Sequence, residues 1–132
     1  MLSRVFGFGR RPFSSLSEQE ILALAIASEE DDARIYRSYA EGLQESYPHS
    51  ARMFEEMAAE EDKHRGMLIE LHRKRFGEHI PLIRREHVKG YYERKPDWLV
   101  RPLGIEKVRH QAEEMEQQAQ LFYIEAAKRT SD

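Results

Sequence analysis

Apolar residues recur at helical spacing in three long stretches of the chain. Ile21, Ala25, Tyr36, Tyr39 and Leu43 form the first line, and Phe54, Met57, Ala58, Leu68 and Leu71 the second. Ile105, Val108, Ala112, Met115, Ala119, Phe122, Tyr123 and Ala126 form the third. The lines predict helices over 18–45, 51–76 and 104–129. Ser17 followed by Glu20 is a capping box that opens the first helix. Tyr47-Pro48-His49-Ser50 breaks it and offers Ser50 as the cap of the second. Gly77 stands where a helix C-terminus wants positive φ. Pro81, Gly90, Pro96 and Pro102 mark 77–103 as a long crossover, with room for a short helix near Leu82 to Lys89. Residues 1–16 read as a flexible tail and 17–132 as one helical domain. No stretch alternates with period two, so no sheet is expected. The reading is all-α: three helices of a four-helix bundle, the fourth missing or supplied by another chain.

Acids interrupt these apolar lines. Glu29 lies four residues after Ala25 and seven before Tyr36, on their face. Glu61 and His64 fall between Ala58 and Leu68, and Glu116 lies between Ala112 and Tyr123. An uncompensated buried carboxylate costs several kcal/mol, at order of magnitude. A multivalent cation is the best neutraliser. Glu61 and His64, at i and i+3, project from one side of a turn. Oxygen and nitrogen ligation without sulfur suits iron or manganese, and zinc less specifically. Bundles that hold paired metals use one Glu from each of two helices and Glu-x-x-His from each of the other two. This chain has both single glutamates, Glu29 and Glu116, and one of the two Glu-x-x-His turns.

An internal repeat joins the first and third helices. Ile21, Ala25, Glu29, Tyr36 and Ala40 match Val108, Ala112, Glu116, Tyr123 and Ala127 at a constant offset of 87. By that offset a second Glu-x-x-His falls past Asp132. The sequence therefore reads as a fragment, or as a chain whose site another chain completes.

Composition narrows the chemistry. The chain has 132 residues, 34% charged and 40% hydrophobic, which suits one domain. The absence of cysteine excludes disulfides, thiolate zinc sites, iron–sulfur clusters and cysteine nucleophiles. No run approaches the roughly 20 apolar residues that span a membrane, so a soluble chain is expected. Residues 18–70 hold 14 acids and 5 bases, while 72–95 hold 8 bases and 3 acids. The acidic body argues against nucleic acid as a partner. The basic stretch, with Tyr91 and Tyr92, reads as a solvated linker or dimer contact. His72, His79 and His87 read as solvated, and His110 as off the Glu116 face. Glu30, Asp31, Glu60 and Asp62 read as a solvated acidic face. Asp32 shares the face of Glu29, and Glu113, one turn before Glu116, is an additional candidate ligand.

The segments SEEDDARIYRSYA (28–40), FEEMAAEEDKHRGML (54–68) and AEEMEQQAQLFYIEAA (112–127) resemble the rubrerythrin branch of the ferritin-like family. RRPFSSLSEQEILALAIASEEDDARIY (10–36) and ERKPDWLVRPLG (93–104) resemble the cytosolic ferritin-like domain of bacterial membrane-bound ferritins. The resemblance implies a ferritin-like bundle and a carboxylate-bridged di-iron centre. Its ligands would be Glu29, Glu61, His64 and Glu116, with Glu113 as the extra glutamate and Tyr36 and Tyr123 around them. It implies ferroxidase or peroxidase chemistry with O2 or H2O2, in the service of iron export and of resistance to iron and peroxide stress. It also implies a C-terminal membrane iron-transport domain, which places the domain at the cytoplasmic face of the inner membrane. Two rivals stand beside this reading. One is an iron-sensing or iron-delivery module without turnover; the other is a structural dimerisation module whose acids meet Arg or Lys across an interface. Three amphipathic helices leave a bundle face open, so a homodimer is expected, and the long crossover permits domain swapping.

Overall fold

Ser17 fixes the start of helix α1, Glu18–Leu43: its hydroxyl accepts from the Glu20 amide while the Glu20 carboxylate accepts from the Ser17 amide. The computed structural model describes residues 10–89 and 94–130. Helix α2, Pro48–Phe76, follows a short turn. Proline at its first position has no amide to leave unsatisfied and a φ already suited to a helix. Hence α2 begins three residues before the expected boundary. Ser50 lies inside it, where its hydroxyl accepts from Arg109 at 3.0 Å rather than capping. Gly77, at φ +92°, ends α2 as expected.

The crossover carries a 3-10 turn at Arg85–His87 in place of the expected short helix. A two-residue strand β2, Val88–Lys89, pairs in parallel with β1, Arg11–Pro12. Thus a minimal sheet is present where none was expected. The described part of the tail is docked: Leu16 is buried, and Arg129 donates to the carbonyls of Phe13 and Leu16. Tyr91 and Tyr92 lie outside the described residues. The short helix α3, Asp97–Val100, and a 3-10 turn lead into α4, Ile105–Arg129.

Helix α1 is the centre of this all-α bundle. Its run Ile21 to Ile26 is buried on several faces because α2, α4 and the crossover each cover one. Both long neighbours run antiparallel to it. Glu18 meets Arg75 and Arg37 meets Asp62 on α2, while Glu29 meets Tyr123 and Tyr36 meets Glu116 on α4. The core divides in two. One cluster gathers Tyr39, Leu43, Phe54, Val108 and Met115 at the turn end. The other gathers Leu16, Ile21, Leu24, Val88 and Phe122 at the tail end. Between them lies a belt of charged and hydroxylic side chains.

Candidate metal centre

Glu29 occupies the middle of that belt, at 5% exposure. Its place on the buried face of α1 follows from the apolar line it interrupts. One carboxylate oxygen, Oε1, accepts a hydrogen bond from the Tyr123 hydroxyl. The other, Oε2, is buried with no hydrogen-bond partner. It faces His64 Nδ1 at 3.9 Å. Ligand atoms of Glu29, Glu61 and His64 all lie within 4.8 Å of one another. Burial pushes the Glu29 carboxyl above the ordinary carboxylate range, and the Tyr123 hydroxyl and His64 ring pull it partly back.

The set fits a metal ion. A buried carboxylate oxygen without a donor loses hydration and gains nothing in return. A cation placed among the three groups supplies what it lacks. His64 is half exposed and Glu61 half-buried, so the cluster opens toward solvent on the α2 side.

Glu116 is not part of this cluster. It is exposed on α4, where its carboxylate accepts from Tyr36 at 3.0 Å. Glu113 is exposed and also stands outside the cluster. On α4, Glu116 is engaged by Tyr36 and does not stand among the gathered ligand atoms of Glu29, Glu61 and His64. Tyr36 and Tyr123 each hold the glutamate of the opposite helix. Burial, and then the carboxylate each one touches, raises both hydroxyls far above the ordinary tyrosine value.

Asp32, one turn after Glu29, takes two guanidinium forks. Arg85 donates to Oδ1 and Oδ2 at 3.1 Å each, and Arg94 donates to them at 2.9 and 3.0 Å. Arg94 continues to the Gln118 amide oxygen and the Met115 carbonyl of α4. These arginines belong to the basic stretch expected to be solvated or at a dimer contact. The available signal was the pairing of a buried-face Asp32 with a surplus of bases downstream. His72 is a second correction. It is fully buried: its Nδ1 donates to the Gly77 carbonyl at 3.0 Å, and Gln19 approaches its Nε2 at 3.4 Å.

A groove of about 240 Å³ lies toward the tail end, lined by Ile21, Leu22, Leu68, Leu71, Phe122 and Tyr123 among others. Among the described residues no helix is long and apolar enough to cross a membrane.

A family model described as Rubrerythrin matches residues 20–132. No curated protein and no solved structure matches the chain.

Proposed function

We propose, for a chain that belongs to the rubrerythrin family, that the Glu29, Glu61 and His64 cluster is one half of a di-iron carboxylate centre with ferroxidase or peroxidase chemistry. The observation that carries the reading is the buried, donorless Oε2 of Glu29 beside Glu61 and His64. These three residues would hold one ion. Glu116, related to Glu29 by the repeat and held by Tyr36, is assigned to the second. Bound iron supplies the electrons that reduce O2 or H2O2, which no side chain of the cluster can do. The chain's own residues set the stage. Tyr123 fixes Glu29 through one oxygen and leaves the other free. The half-exposed His64 leaves an entry on the solvent side. Manganese and zinc suit the same donors as substitutes.

The resemblance to membrane-bound ferritins supports a setting at the cytoplasmic face of a membrane, ahead of an iron-transport domain that exports the metal. The open groove, with Met67, Leu71, Leu121 and Ile124 exposed nearby on α2 and α4, supports a homodimer. Sedimentation of the chain tests that: a monomer at all concentrations rejects it. The exposure of His64 favours a second reading, a module that takes up and hands on iron without turnover.

The deciding experiment is an anaerobic Fe(II) titration of the metal-free chain, followed by addition of O2 or H2O2. Saturable binding, lost in Glu61→Ala, supports the centre, and oxidant consumption coupled to it supports turnover. An unchanged iron stoichiometry in Glu61→Ala would falsify the assignment. Iron binding without oxidant consumption selects the delivery module.

A further inference from the structure

We propose that Arg94 is a positioning residue for this site: it sets α4 against α1 so that Tyr123 reaches Glu29 and leaves Glu29 Oε2 turned toward Glu61 and His64. The proposal rests on the metal-site reading for its functional meaning and on the metal-free geometry for its substance.

In the belt between the two apolar clusters, three polar links join α1 to α4. Two are the direct bonds from Tyr36 to Glu116 and from Tyr123 to Glu29. The third lies between them and runs through Arg94. On α1 its anchor, Asp32, sits between Glu29 and Tyr36 in the sequence; on α4 its anchor, Gln118, sits between Glu116 and Tyr123. The guanidinium is the only group of the crossover among the described residues that bonds to both helices at this level. Its side chain is 7% exposed, so the links are shielded from water.

Arg85 already gives Asp32 one full fork and a guanidinium charge. Neutralising Asp32 therefore does not require a second arginine. What Arg94 adds is reach: its Nε and Nη2 hold Asp32 while Nη1 holds Gln118. A planar fork does this with fixed geometry, and an ammonium group cannot. Arg94, Glu29 and Tyr123 also line the same water-sized cavity of about 20 Å³. A change in one is felt by the others without an intervening layer.

The test follows the Tyr123 ring resonances of the metal-free chain by NMR and titrates Co(II) in parallel. In Arg94→Met the Tyr123 Cζ signal moves toward its solvent-exposed position. Co(II) affinity falls about tenfold, as for other residues that orient metal ligands. Arg94→Lys returns part of the thermal stability but leaves the Tyr123 signal displaced, which a purely electrostatic role would not do. An unchanged Tyr123 signal in both variants overturns the proposal. If Arg94→Met does not fold, Gln118→Leu decides, because it removes the side-chain link to α4, keeps there only the longer bond to the Met115 carbonyl at 3.4 Å, and leaves both arginines on Asp32. A displaced signal there supports the proposal, and an unmoved one rejects it. Failure of the wild-type chain to bind Co(II) removes the metal-site reading, while the Tyr123 signal still judges the role of Arg94.

Discussion

The hydroxyl of Tyr123 donates to Glu29, 94 residues earlier in the chain. Tyr36 makes the mirror contact with Glu116, 80 residues later. The two bonds are one contact repeated by the 87-residue offset. The halves differ in what stands beyond them: Glu29 has Glu61 and His64 within reach, and Glu116 is exposed.

Tyr123→Phe removes the one donor that serves buried Glu29. Leaving a buried carboxylate so exposed to its own desolvation costs about 1–3 kcal/mol. Urea unfolding of the metal-free variant should show that loss. Tyr36→Phe should lose under about 1 kcal/mol, because water replaces the lost donor at exposed Glu116. Equal losses in the two variants would contradict the difference in burial.

Glu29→Gln should stabilise the metal-free chain at neutral pH while abolishing metal binding. Burial raises the Glu29 carboxyl, so folding favours its protonated form. That contribution is complete below the unfolded carboxylate value near 4.5 and is lost as pH rises through the higher folded value. At pH 7 burial of this carboxyl costs the wild type stability that glutamine does not lose. Calorimetry should find the variant's Tm above the wild type's at pH 7, with the gap closing toward pH 4. A lower Tm at pH 7 would contradict this account.

Arg11 and Glu20 predict the opposite trend at acid pH. The Arg11 guanidinium, aided by the Ser17 amide, holds Glu20 down to about 2. The pair stabilises the fold above the unfolded value of 4.5, and the contribution fades as pH falls toward 2. Arg11→Ala should reduce that acid dependence to the part the Ser17 amide supplies. Both side chains are partly exposed, at 43% and 26%, so the change stays below about 1 kcal/mol. Parallel stability–pH curves for the two proteins would show that the pair contributes nothing.

His72→Ala should cost about 2–3 kcal/mol, the combined effect of a cavity and of polar partners left unsatisfied. The Gly77 carbonyl loses its donor, so the last turn of α2 should also fray. Faster amide exchange at Arg73 to Phe76 checks the second effect. Protection equal to the wild type's would assign His72 to packing alone.

The sequence made the long helices legible because periodicity and the Ser17–Glu20 box are local signals. The repeat identified Glu29, Tyr36, Glu116 and Tyr123 because a pair of matching accidents is improbable. Local signals also misled. Pro48 looks like a breaker but opens α2, since proline is favoured at a first helical position. His72 lies among charged residues in the sequence, and only the return of α1 beside α2 buries it. Arg85 and Arg94 look like a solvated basic run until the crossover folds back over Asp32. That Glu29, Glu61 and His64 gather without Glu116 was not legible, because apolar spacing shows which face of a helix is buried and not which neighbour buries it.

The division of the core has an energetic consequence. The turn-end and tail-end clusters share no apolar residue, and the belt between them is joined by directional polar bonds. Separate apolar clusters predict that the metal-free chain unfolds in loosely coupled units, which hydrogen exchange at the two ends of α1 checks. An ion held by Glu29 of α1 and by Glu61 and His64 of α2 adds a bond at the boundary between those units. Metal loading is then expected to raise cooperativity as well as stability, so that the sharpness of the melting transition would measure occupancy.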